Sequence, residues 1–234
     1  MFLILPLCAA YSVFLLCFWP CGIMHLSTAW EVSMLCGFSA LFFLLTLFAL
    51  TGRPLPEPFF DGRFFLTLHR WLAWLFVGLV ALHAGVVMWV DPQTLYDLWP
   101  SGAPGMQFGA AAALLAVVTP CLALQRVRRG LYATAAMFRR SHAMLAMAVL
   151  GASVFHVVAT RVHVALWWQV WLCVGIAMVA CMLPVGERWL LARVPTRRDG
   201  RRRRLHTAYL ARGLVGVMLC VAASETVVFV LWRH

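Results

Sequence analysis

Four of the eight histidines lie in two long apolar segments and have the same spacing in both. The segment LHRWLAWLFVGLVALH has His69 at its second position and His83 at its last. The segment HAMLAMAVLGASVFH begins with His142 and ends with His156. In a helix, residues 14 apart point to nearly the same face and are separated by about 21 Å along the axis. Ionisable side chains are rare within membrane spans and usually mark a functional site. The pattern therefore predicts two cofactor sites, one near each edge of the bilayer.

The number of ligands at each level favours haem. If the two segments run in parallel, His69 faces His142 and His83 faces His156, which provides two imidazoles per level. Haem iron needs only two axial ligands from the protein. A structural zinc ion takes four ligands, and no Cys, Asp or Glu accompanies either level. The histidines could instead form hydrogen bonds between helices, or bind a metal or a proton in a haem-free transporter or assembly factor.

Composition predicts an all-α integral membrane protein. Of the 234 residues, 64% are hydrophobic and 12% are charged, whereas a soluble domain has about 25% charged residues. Several apolar runs are long enough to cross the hydrocarbon core as helices. Seven transmembrane helices are predicted at 1–21, 30–51, 64–90, 106–125, 141–160, 164–185 and 207–231.

The arrangement of these spans predicts a single membrane domain at 1–234. Six of the predicted spans come before an arginine-rich loop at 186–206. The segment at 207–231 is an additional C-terminal transmembrane helix.

The arginines predict the orientation. By parity of the spans, 17 of the 19 basic residues lie on one side of the membrane, mainly in the loops 126–140 and 186–206. Basic loops remain in the cytoplasm, so we expect a bacterial inner-membrane protein with a cytoplasmic N-terminus and a periplasmic C-terminus. The same placement explains the net charge of +11. We therefore expect the lipid bilayer, and no nucleic acid, to be the partner of these charges.

Residues near the histidines suit the edges and faces of a haem. Arg70, Arg139 and Arg140 flank the inner histidines, Arg161 follows the outer ones, and each could bind an anionic propionate. Each could equally be an anchor that sets topology. Small residues would let a macrocycle approach the two helices: Gly78, Ala81, Ala84, Gly85, Ala148, Gly151 and Ala152.

The segments LHRWLAWLFVGLVALH and FRRSHAMLAMAVLGASVFH resemble the two haem-binding helices of the ferric reductase-like transmembrane domain. This superfamily includes the NADPH oxidases, the ferric-chelate reductases and the haem subunit of the bacterial methionine-sulfoxide reductase system. The resemblance covers roughly 30–185. It implies a six-helix core in which His69, His83, His142 and His156 hold two b-type haems.

The chain departs from the larger members of that superfamily after the sixth span. No glycine-rich nucleotide fingerprint follows it, so we expect no FAD or NAD(P) site in this chain. Electrons would come from a separate donor, which could be a flavoprotein, another reductase or a quinol. They would pass to an acceptor outside, such as ferric iron, oxygen or a periplasmic partner enzyme. An alternative is a quinol-linked cytochrome b subunit that anchors a larger respiratory complex.

Overall fold

The described part of the chain is entirely helical in its regular structure. The computed structural model describes residues 4–18, 27–51, 62–191 and 207–232. Within these ranges there are α-helices and one 3-10 helix, and no strand. The prediction of an all-α fold is confirmed. The predicted loop at 186–206 lies largely outside the described residues.

Eight α-helices and one 3-10 helix make up the regular structure of the described residues. A 3-10 helix, Pro92–Leu98, lies between the third and fourth α-helices. The α-helices are α1 (Ile4–Phe18), α2 (Thr28–Ala49), α3 (Gly62–Val90), α4 (Pro104–Ala123), α5 (Gln125–Leu131), α6 (Ala135–Thr160), α7 (Trp167–Leu191) and α8 (Thr207–Trp232).

Five helical segments in the described part are long and apolar enough to cross a membrane, which is the signature of a multi-pass membrane protein. They are Thr28–Ala49, Phe64–Val90, Pro104–Ala123, Ala135–Thr160 and Trp167–Pro184. Helix α1 contains a shorter apolar stretch, Leu5–Phe18. The count of seven transmembrane helices stays a prediction.

The predicted loop at 126–140 contains helical structure. Helix α5 lies within it, and α6 begins at Ala135, before the predicted start of the span at 141. Thr134 caps α6, since its side chain accepts a hydrogen bond from the backbone N–H of Met137. Arg139 and Arg140 are exposed on the first turns. A helix can extend beyond its apolar run when its polar side chains reach water, and hydropathy alone misses that extension.

Helix α2 is the central helix of the bundle. Two thirds (67%) of its span is buried by other helices, against 11% of the span in α3. Its aromatic side chains pack on α1, where the ring of Phe38 stacks on that of Phe18 at 5.6 Å between centroids. The Tyr11 hydroxyl also contacts Ser39 Oγ at 2.7 Å. Because lipid is as apolar as these side chains, such close packing and hydrogen bonding hold α1 against α2.

The two histidine-bearing helices pack on different partners. Helix α3 packs most extensively on α2, and α6 packs most extensively on α4. Helices α3 and α6 make no comparably close backbone contact with each other. The bundle therefore consists of two tight helix pairs, and the histidine side chains meet in the space between them.

Exposed aromatic residues mark one end of the bundle. They lie at the C-terminal end of α3, in or beside the 3-10 helix, and in the first turns of α7. Tryptophan and tyrosine are enriched at the edges of a bilayer because their rings are amphipathic. The exposed residues of this group are Trp89, Tyr96, Trp99, Trp167, Trp168 and Trp171. This end corresponds to the predicted outer side.

Helix α8 contacts both α1 and α3. Ser12 Oγ in α1 donates a hydrogen bond to the carboxylate of Glu225. The side chain of Glu225 therefore joins α8 to α1. A carboxylate near lipid is stabilised by such a donor, because an unsatisfied polar group there is costly.

Candidate functional site

The structure brings the four predicted histidines together as two pairs. The ring centroids of His69 and His142 are 6.1 Å apart, and those of His83 and His156 are 6.3 Å apart. The two separations are nearly equal, although the pairs lie four helical turns apart along α3 and α6. The bundle thus contains two similar sites, one above the other, each with imidazoles facing from opposite sides.

Both outer histidines are oriented by backbone carbonyl groups. His83 Nδ1 is 2.8 Å from the carbonyl oxygen of Ser33 in α2, and His156 Nδ1 is 2.8 Å from that of Gly105 in α4. A carbonyl only accepts, so each Nδ1 carries the proton and donates it. The neutral tautomer then leaves the lone pair on Nε2. Histidines that bind metals typically show this second hydrogen bond.

Two glycines make room for the outer imidazoles. A Cβ atom placed on Gly37 would lie 3.0 Å from His83 Nδ1, and one placed on Gly109 would lie 2.6 Å from His156 Nδ1. Real Cβ atoms essentially never approach a heavy atom as closely as 2.6 Å. The ring of His156 can therefore occupy its position only because α4 carries glycine at 109. At Gly37 a Cβ atom would require the ring of His83 to shift by a few tenths of an ångström.

An apolar cavity surrounds the outer pair. Its empty space, together with the open solvent at its mouth, is about 1160 Å³. It is lined by residues of α2, α3, α4 and α6, including Gly37, His83, Gly109 and His156. The other lining residues are mostly Met, Leu, Val, Ala and Phe. Few charged groups therefore face this cavity, which suits a large planar ligand with apolar faces.

The inner pair has a different environment. The ring of Phe138 stacks on that of His142, with centroids 5.4 Å apart and planes at 30°. The guanidinium of Arg128 lies over the ring of Phe138, 5.3 Å from its centroid. His142 Nδ1 is buried and has no hydrogen-bond partner within the described part of the chain. His142 of the inner pair thus contacts an aromatic ring, whereas a backbone carbonyl group orients each histidine of the outer pair.

Comparison with known protein families gives one match. Residues 36–153 match the model of the ferric reductase like transmembrane component, and this range is half of the chain. The chain belongs to this family. The matched range includes Gly37, His69, His83 and His142 and ends three residues before His156. No curated protein and no solved structure gives a match.

The arginines of this ferric reductase-like protein lie at the ends of the helices. Arg70, Arg139 and Arg140 are exposed, and each is close in sequence to an inner histidine. Arg161 ends α6 in the left-handed conformation, with φ of 53°. Its guanidinium lies over the ring of Trp167, 5.3 Å from the centroid. Contact with a propionate stays a prediction for all four arginines.

A buried acid–imidazole pair lies at the outer end of the family domain. His163 Nε2 is 3.6 Å from the Oε2 atom of Glu31, and both side chains are almost fully buried. His163 also lines the outer cavity, and its ring meets the edge of Phe38 at 5.9 Å. Buried charges occur in proteins when they are paired. The pair joins the start of α2 to the loop between α6 and α7.

Sequence reasoning missed the residues that hold the outer imidazoles. The small residues singled out in advance are on α3 and α6, and a Cβ added at Gly78, Gly85 or Gly151 would meet nothing within 4 Å. All three glycines are exposed, and the approach of a macrocycle at these positions stays a prediction. Gly37 and Gly109 are on the neighbouring helices. An isolated glycine within an apolar helix is a packing signal that could have indicated them.

Proposed function

We propose that this chain holds two b-type haems and carries electrons across the membrane. The observation that carries the proposal is the presence of two facing histidine pairs of nearly equal separation, in a chain of this family and with three of the four histidines inside the matched range. His69 and His142 would hold the inner haem, and His83 and His156 the outer haem. An absorption spectrum and a haem assay on the purified protein test it.

The separation of the rings suits one metal ion between each pair. An imidazole nitrogen binds a metal at about 2.0 Å, and the ring centre lies about 1.2 Å behind that nitrogen. Two rings that flank one metal therefore have centres roughly 6 Å apart. The observed values of 6.1 and 6.3 Å agree with this distance. Rings joined by a direct hydrogen bond through their nitrogens would lie nearer to one another.

The donor set favours haem over a metal ion held by protein alone. Within the described part of the chain, no group of three or more His, Cys, Asp or Glu side chains could hold a metal ion. A tetrahedral zinc site needs four ligands. Each histidine pair offers two, which is the number that haem iron takes from a protein.

The protein's own contribution is to bind, orient and insulate the cofactors. Bound haem supplies a one-electron couple at each level, and axial ligation, hydrogen bonding and burial set its potential. The carbonyl groups of Ser33 and Gly105 hold the outer imidazoles in the tautomer that can bind iron. Apolar side chains line the outer cavity and exclude water. None of the four histidines needs to act as an acid or a base.

The electron donor is a separate molecule under this proposal. A flavoprotein, another reductase or a quinol would reduce the inner site, because the chain carries no nucleotide fingerprint after the sixth span. The acceptor would lie on the outer side and could be ferric iron, oxygen or a periplasmic partner protein. We place the protein in a bacterial inner membrane with a cytoplasmic N-terminus, which follows from the distribution of its arginines. The chain would thus be an oxidoreductase component that needs a partner.

The arginine run in the loop at 186–206 gives a prediction about that donor. Arg201–Arg204 lie outside the described residues, so the prediction rests on sequence alone. Replacing all four with Gln should slow haem reduction in membranes supplied with cytosol, because a basic surface steers an acidic partner. The dependence of the rate on ionic strength should also flatten. Stopped-flow absorbance of the haem bands measures both quantities.

The matched control replaces the same four arginines with Lys, which keeps the charge and should keep the rate. Arg193, Arg197 and Arg198 remain in both variants to hold the orientation of the loop. An unchanged rate and salt dependence in the Gln variant would exclude docking at this loop. In that case, reduction by added quinol at the rate of turnover would favour a quinol-fed cytochrome b.

A further inference from the structure

The two outer histidines are held by the same arrangement on two different helices. On α2, the carbonyl of Ser33 accepts from His83, and the glycine beside the ring is Gly37. On α4, the carbonyl of Gly105 accepts from His156, and the glycine beside that ring is Gly109. In each case the glycine comes four residues after the acceptor.

The spacing of four has a structural reason. In an α-helix the carbonyl of residue i faces the N–H of residue i+4, so these two residues are adjacent on the helix surface. A carbonyl oxygen has two lone pairs and can accept a second bond from a ring N–H. The ring must then approach from the side, across the position where residue i+4 would carry its Cβ. A glycine there removes the obstacle.

We infer that Gly37 and Gly109 are positioning residues that hold the outer pair of imidazoles against the carbonyl groups of Ser33 and Gly105. The inference rests on the proposed function, since it concerns histidines that would bind the outer haem. The two glycines act on the cofactor through the histidines and do not need to touch it. They determine the ring orientation and keep the proton on Nδ1.

The arrangement distinguishes the outer site from the inner one. His142 Nδ1 has no hydrogen-bond partner within the described residues, and an aromatic ring stacks on it instead. A hydrogen bond from Nδ1 to a carbonyl raises the basicity of the ligand and tunes the metal that it binds. Substitutions at the two glycines should therefore change the outer haem and leave the inner haem as it is.

The geometry predicts the order of the effects. Gly109→Ala would place a Cβ atom 2.6 Å from His156 Nδ1, so that ring must leave its carbonyl partner. Gly37→Ala would place one 3.0 Å from His83 Nδ1, which requires a smaller shift. In addition, Ser33 Oγ lies 3.1 Å from His83 Nδ1 and donates to the carbonyl of His83 at 2.9 Å. This second contact should further limit the change at His83.

The test is electron paramagnetic resonance of the oxidised, full-length protein with a redox titration of the same samples. The outer signal is first identified as the one that His156→Ala removes. Gly109→Ala should then shift the g-values and the midpoint potential of that signal, or abolish it, while the inner signal keeps its values. Gly37→Ala should cause a smaller shift in the same signal. Gly175→Ala is the control, because its Cβ would meet nothing within 4 Å in α7.

The possible results separate the inference from the function on which it rests. A wild-type protein without haem would refute the proposed function. A wild-type protein with two haems, whose outer signal is the same in Gly37→Ala, Gly109→Ala and Gly175→Ala, would overturn the inference alone. If Gly109→Ala loses both haems through misfolding, Gly37→Ala decides. A change confined to the outer signal then supports the positioning role, and an unchanged or equally altered pair of signals rejects it.

Discussion

The purified protein should contain about two haems b per chain, and His156→Ala should reduce this content to about one. Under the proposed function, each facing pair would provide the two protein ligands of one haem iron, so the loss of either imidazole should remove one haem. The reduced wild-type protein should show a low-spin, six-coordinate spectrum. A pyridine haemochrome assay against protein mass measures the content, and absorption spectra of oxidised and reduced samples report the coordination.

His206→Ala is the matched control for this experiment. His206 lies in the predicted loop at 186–206 and outside the pattern of four histidines with equal spacing. This variant should keep the full haem content. A content near zero in the wild-type protein would refute the bis-haem proposal and favour a haem-free transporter or assembly factor. A full content in His156→Ala would show that this residue is not a ligand.

Double substitutions should show which histidines share a haem. The structure places His69 beside His142 and His83 beside His156. His69→Ala and His142→Ala should therefore each remove the same haem, and the double variant should lose no more than either single variant. Combining His69→Ala with His156→Ala should remove both haems. The haem content per chain and the resonance signal that disappears are the measurements.

The variant that combines His69→Ala with His156→Ala is the control for the variant that combines His69→Ala with His142→Ala. Both change one histidine in α3 and one in α6. If His69→Ala with His142→Ala loses both haems while each single variant loses one, the pairs are wrong. If two histidines bind the same haem, the losses of haem content that their substitutions cause should not add. Losses caused by substitutions in different pairs should add. A detergent-stability measurement on each variant identifies general misfolding.

Much of the candidate site could be predicted from the sequence because the relevant geometry is local. Helical periodicity alone places residues 14 apart on nearly one face. His69 and His83 therefore point the same way on α3, as do His142 and His156 on α6. Their meeting across the bundle requires only that the two helices run in parallel, which follows from the number of spans between them. The long apolar runs predict transmembrane helices in the same direct way.

The ends of the helices were harder to predict for a physical reason. Arg139 and Arg140 were assigned to a loop because charged residues interrupt an apolar run. In the structure, they lie on the first turns of α6, which begins at Ala135 after its cap Thr134. Hydropathy reports where a chain can be surrounded by lipid. The end of a helix depends instead on capping and on the access of side chains to water.

The sequence by itself determined the class of protein, its all-α fold and the four histidines that form two pairs. Only the tertiary structure showed that Ser33 and Gly105 provide acceptors for the outer imidazoles and that Gly37 and Gly109 leave room for them. The two hydrogen bonds join residues 50 and 51 positions apart in the chain. Such contacts depend on how far one helix is shifted and rotated against its neighbour. Side-chain packing along the whole interface sets that register, and no local pattern encodes it.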